Sequence, residues 1–201
     1  MRNTKSVVLA MVLALVASIP GMARAQDRPS DSIKVHGHWV IEVHNPDGSL
    51  ASHTEFENAL VQDSASPFLA SLLARNVSVG FWSITLGGDG VMQPCNNPLD
   101  PVGILPRPCS ITEPNGGLSN SQNLAVTVTA AALRFSGSVT TPRGAAIQYV
   151  STEFVQCGPT LNAAASCPDA VSGTFTSRSL AQPVPVAAGQ IVQVTVTISF
   201  S

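Results

Sequence analysis

The chain has 201 residues, of which 44% are hydrophobic, 5% aromatic and 11% charged, with a formal net charge of −2. That length suits one domain with a substantial core. So low a charged fraction, against ~25% in ordinary soluble domains, excludes a disordered chain, and the lack of a basic surplus excludes a phosphate-neutralising nucleic-acid binder.

Residues 1–25 read as a secretory signal peptide. Arg2 and Lys5 form a basic start, Ser6 to Ala17 an apolar stretch, and Ala23-Arg24-Ala25 a small-x-small cleavage site after Pro20-Gly21. Cleavage after Ala25 leaves a single domain over residues 26–201. Seven basic residues then remain against twelve acidic ones, a formal charge of −5, with Lys34 the last lysine. Such a surface argues against DNA, RNA and acidic lipids as partners. No later run is long and apolar enough to span a membrane as a helix, and ten scattered aromatics do not furnish the two girdles of a membrane barrel.

The mature chain is patterned as strands. Ile33 to Val43 alternates, with Val35, Trp39, Ile41 and Val43 on one face and Lys34, His36, His38 and Glu42 on the other. Asn45-Pro46-Asp47-Gly48 is a strong turn, and SLASHTEFENAL returns from it. Matching faces across a four-residue loop pairs His44 with Ser49, which sets His38 against Glu55 and His36 against Glu57. Ser66-Pro67 reads as a helix start, serine capping and proline in the first turn, and Asn76 as its end. A strand follows from Val79 to Gly87. Then come NLAVTVTA, LRFSGSVTT, AAIQYVSTEFVQ and SGTFTSRSL, an edge-like Pro183-Val184-Pro185, and a closing strand, QIVQVTVTISFS. That last strand places Val192, Val194, Val196, Ile198 and Phe200 on one face. Seven or eight strands and one short helix predict an all-β fold, an antiparallel β-sandwich or jelly roll.

Four cysteines in an exported chain point to two disulfides. The local pairing, Cys95 with Cys109 and Cys157 with Cys167, brackets two loops that proline excludes from regular structure. Neither spacing is that of a zinc motif.

Two stretches resemble a β-sandwich module of phage tail and virion structural proteins: FENALV, LASLL and WSITLGGDG, then YVSTEFV with TFTSRSLAQPVPVAAGQIVQVTVTISFS. The resemblance covers about half of the mature chain, and it implies a structural or assembly role with no active site to carry over. The signal peptide and paired cysteines depart from that pattern and point to an exported bacterial relative. A looser similarity is to chaperone–usher pilins, through the alternating N-terminal segment and the penultimate aromatic, Phe200.

The chemistry-bearing residues cluster early, all four histidines lying between His36 and His53. His36, His38, His53 and Glu55 on one strand face form a candidate Zn²⁺ or Cu²⁺ site; the plainer reading is a solvated face with cross-strand His–Glu pairs. No histidine follows His53, no G-x-S-x-G elbow exists, and no phosphate-cradling glycine loop is present. The expectation is therefore a non-catalytic exported structural or adhesive subunit without cofactor, self-assembling on the cell surface. Its partner is protein, a second copy of itself included, and Val192, Val194, Val196, Ile198 and Phe200 mark the assembly strand. The alternative is a periplasmic metal- or ligand-binding module built on the histidine hairpin.

Overall fold

The computed structural model describes residues 34–88, 109–114, 121–141, 143–159, 167 and 170–201. The predicted signal peptide and Cys95 lie outside them. The described elements are β1 (Val35–His44), β2 (Leu50–Ala59), α1 (Gln62–Leu73), β3 (Ser78–Gly87), β4 (Cys109–Thr112), β5 (Ala125–Thr129), β6 (Ala132–Thr140), β7 (Ala145–Cys157), β8 (Val171–Val186) and β9 (Ile191–Phe200). They form two antiparallel sheets, ordered β2-β1-β9-β6-β5 and β4-β3-β7-β8. This is the predicted all-β sandwich with one short helix. No helix among the described residues is long and apolar enough to cross a membrane.

Period-two alternation builds the core directly. Trp39, Ile41 and Val43 of β1, with Val192 to Ile198 at alternate positions of β9, are buried in one layer. Ile84, Leu86, Val150 and Phe154 are buried in the other. Full burial of each such side chain contributes about 1.5–3 kcal/mol. The interior is aromatic at one end, where Trp82 meets Phe135, Phe154 and Phe175 edge-on at 5.2–6.1 Å. Phe68 of α1 stacks on Phe154 there, with ring centroids 3.7 Å apart.

The β1–β2 hairpin keeps the predicted faces in a different register. Trp39 lies opposite Phe56, His38 opposite Glu57, and Glu42 opposite His53, two residues along from the expected alignment. Two single-residue steps produce the shift, a loop one residue shorter than expected and one bulge. Gly48, at φ +84°, ends a three-residue loop closed by Gly48 N–H to Asn45 O (2.9 Å) and Asn45 N–H to Ser49 O (2.8 Å). A bulge on β2, where Ala51 is left unpaired facing the step between Val43 and His44, adds the second. Two single steps restore the original faces, and the reward is the Trp39–Phe56 stack at 5.9 Å.

The helix begins earlier than Ser66-Pro67 predicts. It runs from Gln62, so Pro67 sits inside it. Tertiary docking overrides the local signal: Val61 N–H bonds to Phe175 O (2.9 Å), Ser64 donates to Thr174 O, and Ala65 is wholly buried. The C-terminal end is a Schellman turn, with Asn76 N–H to Ser71 O (2.9 Å), Arg75 N–H to Leu72 O (3.0 Å), and Arg75 left-handed at φ +58°.

The closing strand is not an edge. β9 lies in the middle of the five-stranded sheet, paired along its length with both β1 and β6. Its Val192, Val194, Val196 and Ile198 are core residues, and Phe200 alone of that set is partly exposed. The sequence reading also missed β4, whose four residues are too short to show alternation. Cys157 and Cys167 are joined, as predicted. Cys109 is disulfide-bonded too, although its expected partner Cys95 is not among the described residues.

Candidate functional site

The outer face of the β1–β2 hairpin carries a continuous ladder of alternating imidazoles and carboxylates. His38 contacts Glu57 at 2.7 Å through Nδ1 and Glu55 at 3.1 Å through Nε2. His53 contacts Glu55 and Glu42 at 3.5 and 3.4 Å. Glu42 also lies 3.5 Å from His44 Nε2, an ionic approach without hydrogen-bond geometry. The order along the face is Glu57, His38, Glu55, His53, Glu42, His44.

Three of the four residues in the predicted metal set thus come together: His38, His53 and Glu55. His36 does not join them; it sits at the end of the row, opposite Ala59 and Ser199. A ladder spreads its donors along a line, each imidazole already facing a carboxylate. Among the described residues no group of three or more His, Cys, Asp or Glu could hold a metal ion. Glu42, Glu57 and His44 were outside the predicted set because the expected register set other partners across the hairpin. The pairs are exposed, and each such contact contributes at most about 1 kcal/mol.

The four sheet edges differ sharply. β2 is bulged and charged, and Arg178 of β8 reaches across it, donating to Glu57 O and lying 5.3 Å from the Phe56 ring centroid. β8 carries Pro183 and Pro185 and bulges at residues 180–183 against β7. β4 is covered on its open side by the next segment, with Thr112 N–H to Ser121 O (2.8 Å) and Leu124 N–H to Thr112 O (2.9 Å). These are the usual guards against unwanted strand addition.

β5 has none of them. Its sequence AVTVT holds no charge and no proline, and it pairs with β6 without a bulge. Among the described residues nothing pairs with its outer side. Val128 is 82% exposed. The uncharged run was visible in NLAVTVTA, but its place at a sheet edge depends on pairings remote in sequence.

Comparison with protein-family models, with curated proteins and with solved structures finds no match to this chain. The ladder and the unguarded edge are therefore read from their own chemistry.

Proposed function

We propose that this chain is an exported, non-catalytic structural or adhesive subunit that associates with copies of itself edge to edge through β5. One observation carries the reading: β5 alone among the described edges offers an unguarded, uncharged, regular strand. Unpaired N–H and C=O groups on such a strand are a template for another chain. The sequence suits a two-fold pairing of identical strands. Centred on Thr127, it sets Thr127 against Thr127 of the second copy and Val126 against Val128, pairs that favour antiparallel contact. The histidine contacts also support a non-catalytic role, since the imidazoles of the ladder lie against glutamates rather than beside a nucleophile. The resemblance of the turn and strand pattern to virion β-sandwich modules points the same way.

The test is light scattering and negative-stain microscopy of residues 26–201 purified from an oxidising compartment. The expected result is a dimer or larger regular assembly. Val128→Lys, at an exposed position, should return it to monomer while changing the melting temperature little. A wild-type protein that stays monomeric at high concentration overturns the proposal, as does a Val128→Lys variant that assembles as before.

A further inference from the structure

A second feature lies between the two sheets at the end where α1 packs. A cavity of about 620 Å³ opens there, walled by Leu69 and Leu72 of α1, Val126 and Val128 of β5, Leu133 of β6 and Phe200 of β9. Its volume is within the range of small-molecule sites, roughly 300–1,000 Å³. Trp82, Phe68 and Phe175 form its floor. These rings pack on one another at 5.2–6.4 Å, so the floor is braced from behind.

Among the described residues one charged side chain lines this apolar space, Glu113. Its Oε2 accepts the Trp82 backbone N–H at 2.7 Å, which holds the carboxylate at the backbone of β3. Among the described residues no lysine, arginine or histidine pairs with it; the five ion pairs all belong to the histidine hairpin. A carboxylate in an apolar cavity repels an anion and loses hydration to a neutral ligand without recompense. An ammonium group satisfies it, and the Trp82 ring adds cation–π attraction.

We propose that this cavity binds a small amphiphilic cation, its apolar part between α1 and the β5–β6 hairpin and its ammonium group at Glu113. The cavity shares Val126 and Val128 with the edge strand, but its charged residue, Glu113, lies off β5.

The experiment is calorimetric titration of the mature protein with decyltrimethylammonium below its micellar concentration, beside decanol and decanoate. Tryptophan fluorescence provides a second readout, since Trp82 lies in the cavity. Saturable one-to-one binding of the cation is expected, with decanoate failing to bind. Glu113→Gln keeps an acceptor for the Trp82 N–H and should weaken the cation about tenfold, equivalent to about 1.4 kcal/mol, while leaving decanol unchanged. Ala131→Trp, on the cavity wall, should block both. Glu55→Gln, on the hairpin face, should bind as wild type. Equal loss in Glu55→Gln and Glu113→Gln would mean general attraction to an anionic surface, and overturns the proposal. Binding of decanoate as tight as that of the cation, or no saturable binding at all, overturns it too.

Discussion

Asp47 shows how a single side chain sets the hairpin turn. Its Oδ1 accepts both the Ser49 hydroxyl (2.6 Å) and the Ser49 backbone N–H (2.9 Å). These bonds, the hydroxyl first, hold the carboxyl below its ordinary range. A depressed folded-state pKa means the contribution is whole above the ordinary aspartate range and is lost as pH falls through the lowered value. An NMR titration should therefore find the Asp47 midpoint below that of a peptide aspartate, and Ser49→Ala should raise it. A midpoint that stays put in Ser49→Ala would assign the shift to something else. At this scale much was legible: the Asn-Pro-Asp-Gly turn and the inward face of Trp39, Ile41 and Val43 follow from local chemistry alone. Arg75 was not legible, since nothing in an arginine announces a left-handed φ of +58°.

Apart from β4, the elements lie where predicted, but their limits answer to tertiary contacts. Alternation fixes which face of a strand is buried and is blind to a shift of two, so the hairpin register, set by the short loop and the Ala51 bulge, escapes it. The ladder was likewise half legible: its residue types and face were, its order was not. In α1, Ser66-Pro67 is a sound local start that loses to the docking of Ser64 and Ala65 against β8. Phe68 explains why that docking prevails. It stacks on Phe154 and meets Trp82 and Phe175 edge-on, only 2% exposed, so the helix closes one end of the aromatic interior. Phe68→Ala leaves the rings around it without their partner and should cost about 3–5 kcal/mol. Denaturant unfolding checks this, and a loss below about 1 kcal/mol would mean that the helix is not part of the cooperative core.

Across the whole molecule, strand order is the property that sequence patterning conceals. QIVQVTVTISFS reads as an assembly edge because it ends the chain and alternates cleanly. Instead its position between β1 and β6 joins the first strand to the middle of the chain, pairing Val43 with Val192 and Phe135 with Val196. Two of the four crossings between sheets, β6 to β7 and β8 to β9, are tied at the same end. Thr141 Oγ1 donates to Ala187 O (2.6 Å), and Gly189 N–H bonds to Thr141 O (2.6 Å), so the entry to β7 and the exit from β8 hold each other. Without β9 the five-stranded sheet divides into two hairpins, β1–β2 and β5–β6, each marginal alone in water. Four buried side chains also leave the core, and burial at about 1.5–3 kcal/mol apiece is comparable to the total stability of a domain, about 5–15 kcal/mol. Deleting residues 191–201 should therefore abolish cooperative unfolding and leave the chain open to protease, a loss of fold and not of assembly alone. Val128→Lys should do the reverse, keeping the melting transition and removing the assembly. A truncated chain that melted cooperatively would show that the remaining strands can close the sheet unaided, and would restore β9 as a separable assembly element.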